Sequence, residues 1–459
     1  MVPAEAPGAA ILLVLAALVL LPGLLLGPYQ DAGIFATIGE QLARGELPYR
    51  DAWDHKPPGT YVIAAVASAL PGPTWPAFWA TAVVWLAATG VVIRKVVGLP
   101  IAAVAVVSMG LYPAAVGGGE TEAFAALPAA IAFVAAWRSR WFTAGALAAL
   151  ALLFSVQLVP LLVALLVFAG PRGRPLAVGA LGVGMVMGMT AITLALVGVF
   201  PHAVDALLTY NRLYLESDRS GDLPVVHYLA VVLVPLGVTL PFISPGRVDR
   251  ADIAAAAWVV VAAVLIAAQS RLGAHYVIPL AIPLAVLARA PMNRRPAAVA
   301  MALATLVMVS VSFIVAAREA PVHRGRIGAE IGAWVGAHTD PGDTILVWGV
   351  DAGIYVAAER APAGRYPYHL PLATHGYTTM RMIAAWVREL DAAPPRLIVD
   401  GEAAAAYWAE DADFLRPPPP GAAGGRDLDL LNPFRSWVRA RYVLVAEIEG
   451  RKIYERIGE

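Results

Sequence analysis

The sequence predicts a polytopic α-helical membrane protein, with about eleven transmembrane helices, interfacial helices in the first outer loop and a small α/β C-terminal extracytoplasmic domain. Its 459 residues are 59% hydrophobic and only 14% charged, and the mean hydropathy is +0.69. Soluble domains average about 45–50% apolar and about 25% charged residues. The apolar runs stop near residue 317, where the composition becomes mixed and charged. We therefore divide the chain into a transmembrane domain, 1–317, and a soluble domain, 318–459.

The predicted spans are apolar stretches that approach the roughly 20 residues needed to cross a bilayer. The first stretch has no basic residues before it and no small-residue cleavage signal after it, which favours a retained helix over a signal peptide. Residues 59–71 are shorter and predict an interfacial or re-entrant helix. The spans are 9–27, 76–93, 99–116, 123–137, 141–155, 157–170, 176–199, 224–243, 252–269, 275–290 and 297–317.

The distribution of basic residues predicts a cytoplasmic N-terminus and an outer C-terminal domain. With that orientation the inner loops hold eleven basic residues and the outer loops hold six. Most loop carboxylates then lie outside, so chemistry that needs carboxylates is expected on the outer face. The inner residues are Arg94, Lys95, Arg138, Arg140, Arg172, Arg174, Arg247, Arg250, Arg289, Arg294 and Arg295, and the outer ones are Arg44, Arg50, Lys56, Arg212, Arg219 and Arg271.

Composition also narrows the range of functions. The net charge is zero, which argues against nucleic acid as a partner. The absence of cysteine excludes disulfides, thiolate nucleophiles and cysteine-ligated metals. No ionisable side chain lies in the middle of a predicted span, whereas ion-coupled transporters usually place such groups there. The lipid bilayer is the partner that the composition does predict.

The densest polar stretch is the first outer loop, residues 28–59. Apolar residues at helical spacing predict an amphipathic helix that lies along the membrane surface. The segment PYRDAWDHKPPG follows and ends in a double proline, which cannot continue a helix. Clustered charges beside aromatic rings indicate a binding loop, although charges alone would also suit a loop that is merely solvated. The residues concerned are Tyr49, Asp51, Asp54, His55 and Lys56, next to Trp53.

These motifs resemble those of a known family of membrane enzymes. Asp31 follows the first span, and after the predicted helix comes G-E-L-P-Y-R-D-A-W-D-H-K-P-P. Three later stretches fit as well: GGGETEAF at 117–124, SRLGAHYVIPL at 270–280, and DTILVWGVDAGIY with Glu359-Arg360 after it. Together they resemble the membrane glycosyltransferases of the GT-C fold, in the bacterial branch related to protein mannosyltransferases and lipid A aminoarabinose transferases.

The resemblance implies an enzyme that moves a sugar from a polyprenyl-phosphate donor to an acceptor hydroxyl on a glycolipid, polysaccharide or protein at the outer face. It places Asp31 at the position of the catalytic carboxylate. Many relatives have an acidic pair there, whereas Ala32 follows Asp31 in this chain. A divalent metal is therefore not supported by a carboxylate pair, and no cofactor is assigned. Glu120 and Glu122, which follow three glycines, are either a second acidic element or charges that solvate the loop.

The chemistry of sugar transfer explains why these residue types matter. One carboxylate must accept the proton of the acceptor, and cations or donors must stabilise the leaving phosphate. Arginine binds phosphate through two parallel hydrogen bonds, and lysine binds it as a point charge. A second interpretation of Arg271 is an interfacial residue whose charge reaches water. A second interpretation of His275 is a residue that forms a hydrogen bond at a helix end. The candidates for the phosphate are Lys56, Arg271, His275 and Tyr276.

The C-terminal domain shows alternating helices and strands, which predict a small α/β layer. Residues 326–337 and 379–391 are predicted helices, and TILVWG and RLIVDG are predicted buried strands. The tail YVLVAEIEGRKIYERI predicts a hairpin that turns at Glu449-Gly450. We expect this domain to cover the active cleft or to hold the acceptor.

Two other functional classes stay open beside the glycosyltransferase. One is a flippase or transporter of a lipid or polysaccharide, which the lack of charges within the spans disfavours. The other is a non-catalytic assembly or scaffold protein. The sugar and the acceptor do not follow from the sequence, because specificity depends on the shape of a pocket.

Overall fold

The computed structural model describes residues 6–115, 117–217, 249–268, 274–289, 320–401 and 428–458. Up to residue 289 every regular element in this part of the chain is a helix. A π-helix, Asp205–Tyr210, and a 3-10 helix, Ala274–Leu280, interrupt the α-helices. The α-helices are α1 (Ala6–Leu26), α2 (Gln30–Ala43), α3 (Gly59–Ser68), α4 (Thr74–Val97), α5 (Leu99–Ala115), α6 (Thr121–Trp137), α7 (Trp141–Leu152), α8 (Val159–Ala169), α9 (Gly173–Leu196), α10 (Phe200–Val204), α11 (Asn211–Ser217), α12 (Arg250–Ala268) and α13 (Ala281–Leu287).

Three helices of the described residues, α1, α4 and α9, are long and apolar enough to cross a membrane by length and composition. Helix α1 packs against α4 and α5, and α6 packs against α4 and α7, so the apolar helices form one bundle. The predicted spans 224–243 and 297–317 lie outside the described residues, and the count of eleven stays a prediction. Shorter apolar helices occur at the predicted spans 99–116, 123–137, 141–155, 157–170 and 275–290.

The described residues from 320 to 458, here called the C-terminal region, form a five-stranded sheet in the order β2-β1-β3-β5-β4. Strands β2, β1 and β3 are parallel, while β5 is antiparallel to β3 and to β4. The elements are α14 (Ala320–Ala337), β1 (Thr344–Trp348), α15 (Gly353–Ala358), β2 (Ala361–Pro362), α16 (Met380–Ala392), β3 (Leu397–Asp400), α17 (Asn432–Arg441), β4 (Tyr442–Ile448) and β5 (Arg451–Arg456).

The local elements predicted for this region are confirmed. The buried segments TILVW and LIVD are neighbouring parallel strands, and both predicted helices are present. The tail is a hairpin whose turn has Glu449 at φ 50° and Gly450 at φ 75°. Both values are left-handed, as the tight turns of β-hairpins require. That residues 318–459 form a separate soluble domain outside the membrane stays a prediction.

Helix α2 is buried on both sides, because it lies between α3 and the C-terminal region. Gly33 and Gly353 bring the two backbones together: a Cβ on Gly33 would lie 2.7 Å from the nitrogen of Gly353, and a Cβ on Gly353 would overlap the carbonyl of Pro28. The Thr37 hydroxyl donates to the carbonyl of Ala352 at 2.9 Å. The amphipathic pattern predicts one buried face; the C-terminal region encloses the other face as well.

Candidate functional site

Three polar segments meet at one end of the helix bundle, and the 3-10 helix Ala274–Leu280 lies beside them. A Cβ on Gly23 would lie 2.8 Å from the carbonyl carbon of Gly117, so the glycine-rich loop before α6 runs against the end of α1. The loop between α2 and α3 ends where the Gly59 nitrogen donates to the carbonyl of Leu153 at 2.8 Å, just after α7. Close backbone packing thus brings the start of α2, the loop before α3 and the start of α6 to one place.

Lys56 lies at the centre of this site. Its Nζ is 3.7 Å from Oδ2 of Asp31, which sits in the first turn of α2, and the two side chains are 22% and 35% exposed. Burial alone would lower the pKa of Lys56, but the negative charges of Asp31 and Glu122 outweigh it and raise that pKa above its ordinary value. The lysine therefore stays charged, and 22% of its side chain is exposed.

The two glutamates of the GGGETEAF loop lie deeper, and both are 2% exposed. Glu122 accepts hydrogen bonds from the hydroxyls of Thr121 at 2.7 Å and Ser155 at 2.8 Å. Burial raises the pKa of Glu120 well above its ordinary value, and the nearby charges of Asp31 and Glu122 raise it further. Glu120 is thus a buried carboxyl with a raised pKa, whereas Asp31 is 35% exposed.

The 3-10 helix Ala274–Leu280 contributes one more side of the site. It packs against α5 and α6, and Tyr276 lies close enough to Lys56 to affect the pKa of the lysine. The His275 ring lies 4.4 Å from the Tyr276 ring, edge to face, and 5.8 Å from the ring of Tyr112. The structure therefore brings Tyr276 near the lysine, and His275 lies beside Tyr276. Arg271 lies outside the described residues.

The remaining candidates of the first outer loop have protein partners for their polar groups. Asp51 forms two hydrogen bonds of 2.8 Å with its neighbour Arg50 and accepts a third from the Leu47 nitrogen at 3.0 Å. Tyr49 has φ 66°, and its hydroxyl donates to the carbonyl of Lys56 at 3.0 Å. The Asn211 side chain donates to the carbonyl of His55 at 2.9 Å. These contacts fix the path of the loop.

Asp54 is buried at 2% exposure and also accepts three hydrogen bonds. It accepts from the hydroxyl of Tyr368 at 2.6 Å, the hydroxyl of Tyr61 at 2.7 Å and the backbone nitrogen of His55 at 2.7 Å. Burial opposes its charged form, but His55 and the two tyrosines outweigh burial and lower the pKa of Asp54 to about 2. Asp54 therefore stays ionised inside the protein.

Tyr61 and Tyr368 are the residues that sequence reasoning missed. A tyrosine in a buried position usually needs a partner for its hydroxyl, and that rule was the available signal for Tyr61 at the start of an apolar segment. No comparable signal links Tyr368 to Asp54, because 314 residues separate them in the chain. Within the described ranges, no group of three or more histidine and acidic side chains could hold a metal ion.

An apolar helix bundle with a charged site at one end and an α/β region packed over it is the arrangement expected of the GT-C fold. No protein-family model and no curated protein sequence matches the chain. Among solved structures, it is similar to ArnT from Cupriavidus metallidurans bound to undecaprenyl phosphate, with a TM-score of 0.60 and 14% identity. The match covers 99% of each chain, so it includes the C-terminal region. The resemblance to the lipid A aminoarabinose transferase branch is confirmed at the level of the fold.

Proposed function

We propose that this protein is a membrane glycosyltransferase that moves a sugar from a polyprenyl-phosphate donor to an acceptor hydroxyl on the outer face of the membrane. The observation that carries the proposal is the contact of Lys56 with Asp31 at 3.7 Å, where a cation and a reachable carboxylate lie side by side at the end of the bundle. The undecaprenyl phosphate in the ArnT structure supports a lipid phosphate as the ligand.

In the proposed reaction Asp31 accepts the proton of the acceptor hydroxyl. The acceptor oxygen then forms a bond to the anomeric carbon of the sugar, and the bond from that carbon to the phosphate oxygen breaks. The electron pair leaves with the polyprenyl phosphate, whose negative charge Lys56 stabilises. Tyr276, with His275 and Arg271, is assigned to the same phosphate.

Exposure favours Asp31 over Glu120 and Glu122 as the base. An acceptor can approach a side chain that is 35% exposed, whereas each glutamate is 2% exposed. Glu122 also has its two oxygens bound to hydroxyl groups, and burial raises the pKa of Glu120. We assign to Glu122 the role of keeping Lys56 charged, because its negative charge is among those that raise the pKa of the lysine.

The loop residues predicted to bind substrate have three different places in this proposal. Lys56 contacts the phosphate, while Tyr49, Asp54 and His55 hold the loop that presents it, because their polar groups are bound within the protein. Asp51 remains at the exposed rim of the loop, where it is paired with Arg50. The glycolipid, polysaccharide or protein nature of the acceptor stays open.

Three carboxamide variants test the assignment of the base. The shape of the side chain is kept in Asp31→Asn, Glu120→Gln and Glu122→Gln. Loss of a general base lowers a rate by about 10²–10⁴-fold. The assay measures release of undecaprenyl phosphate from a panel of purified undecaprenyl-phosphate sugars, with a total membrane extract as the source of acceptor. We expect Asp31→Asn to lose this activity while its membrane insertion stays normal.

The same assay distinguishes the alternatives. An Asp31→Asn variant with the wild-type rate, beside an inactive Glu120→Gln or Glu122→Gln variant, would show that the base is one of the glutamates. Transfer of the lipid between the two leaflets of a vesicle membrane, without release of undecaprenyl phosphate from any donor, would instead support a flippase.

A further inference from the structure

Several hydrogen bonds join the loop that carries Lys56 to the C-terminal region, among them one of 3.0 Å between Nδ1 of His55 and the Tyr368 hydroxyl. Arg365 Nη2 donates to the carbonyl of Tyr49 at 2.9 Å, and the nitrogen of Trp53 donates to the carbonyl of Arg365 at 2.8 Å. A further bond runs from the Tyr368 hydroxyl to Asp54 at 2.6 Å. These bonds fix both ends of the segment before Lys56, and they include Tyr49, whose left-handed φ of 66° is unfavourable for a residue with a side chain.

A chain of hydrogen bonds continues from Asp54 to Lys56. The Tyr61 hydroxyl donates to Asp54 at 2.7 Å and accepts from the backbone nitrogen of Lys56 at 3.1 Å. The Tyr49 hydroxyl donates to the carbonyl of Lys56 at 3.0 Å. Both backbone groups of the lysine are therefore held by tyrosines, and Asp54 is the ionised acceptor on which Tyr368 and Tyr61 converge.

We propose that Tyr368 is a positioning residue for the lipid-phosphate site: it holds Asp54, and through Tyr61 it fixes the backbone of Lys56 where Nζ meets Asp31. The C-terminal region then completes the donor site of the bundle, in addition to any part it plays in covering the cleft. This inference rests on the proposed function, because it assigns Lys56 to the phosphate.

The neighbouring Tyr366 provides a matched control for this role. The rings of Tyr366 and Tyr368 both lie 6.0 Å from the Trp53 ring, with the same interplanar angle of 54°. The Tyr368 hydroxyl bonds to Asp54, and no such bond joins Tyr366 to Asp54 in the described part of the chain. Removing each hydroxyl in turn separates the proposed link to Lys56 from the packing of the aromatic ring.

The experiment measures the affinity of the purified full chain for undecaprenyl phosphate in detergent, below the unfolding temperature of each variant. Lys56→Ala should weaken binding most, since it removes the charged contact. Tyr368→Phe should weaken binding roughly tenfold, because a hydrogen bond to a charged group is lost and the lysine is less well held. Tyr366→Phe should bind like wild type. Tyr61→Phe removes the hydroxyl that joins Asp54 to the backbone nitrogen of Lys56. The affinity of this variant should resemble that of Tyr368→Phe.

A double variant distinguishes positioning from general stability. If Tyr368 acts through the lysine, Tyr368→Phe should have no further effect on affinity in the Lys56→Ala background. Equal affinities of the Tyr368→Phe and Tyr366→Phe variants, or additive losses in the double variant, would overturn the inference while leaving the phosphate site intact. If Lys56→Ala itself binds undecaprenyl phosphate as tightly as wild type, the phosphate assignment of the proposed function fails instead.

Discussion

Replacing Asp54 by asparagine should destabilise the protein by an amount that the structure allows us to calculate. Its pKa falls from the ordinary 3.8 to about 2 on folding, because three hydrogen bonds and His55 favour the charged form in a buried position. Each pKa unit corresponds to about 1.4 kcal/mol, so the charge contributes about 2 kcal/mol to the free energy of unfolding at neutral pH. Asp54→Asn keeps the shape of the side chain and removes this contribution.

The direction of the pKa shift determines how the stabilisation by Asp54 changes with pH. The pKa of Asp54 is lower in the folded state than in the unfolded state, so its contribution is complete above the unfolded pKa near 3.8. The contribution decreases as the pH falls from 3.8 toward about 2, and below about 2 both states bind the proton. Wild type and Asp54→Asn should therefore differ in stability at pH 7 and converge toward pH 2.

The measurement is the free energy of unfolding in mixed micelles at several pH values between 7 and 2. Asp51→Asn is the control from the same loop: this carboxylate is paired with Arg50 in an exposed position, where solvent screens the interaction, so its loss should change the stability far less. A difference between wild type and Asp54→Asn that is absent at pH 7, or that stays constant down to pH 2, would refute the reasoning.

Two further predictions concern the architecture. Reporter fusions after residues 317 and 459 should report an external location, because the basic residues favour the inner loops by eleven to six; a cytoplasmic signal at both positions would reverse the orientation and remove the outer-face mechanism. Gly353→Ala should lower the stability by about 1–3 kcal/mol, because its Cβ would overlap the backbone of Pro28, whereas Gly342→Ala meets open space and should not. Equal unfolding temperatures for the two glycine variants would contradict the close packing of α2 against α15.

The local pattern of the sequence was sufficient for several conclusions. Runs of apolar residues identify the helices of the bundle, since hydrophobic periodicity is a property of neighbouring residues. Alternating short elements identify the sheet of the C-terminal region, and the Glu449-Gly450 pair identifies the turn of its hairpin. Asp31 could also be selected through the resemblance of its motif to a known family, and Lys56 as one of several loop residues suited to bind a phosphate.

The tertiary structure decided which of these residues act together. Lys56 meets Asp31 across a loop and a helix, and the burial of Glu120 depends on the packing of α6 against its neighbours. Asp54 remains ionised with the help of His55, Tyr61 and Tyr368, and Tyr368 reaches it from 314 residues away. The free energy of a buried charge depends on partners that packing supplies, and sequence spacing carries no information about partners so distant in the chain.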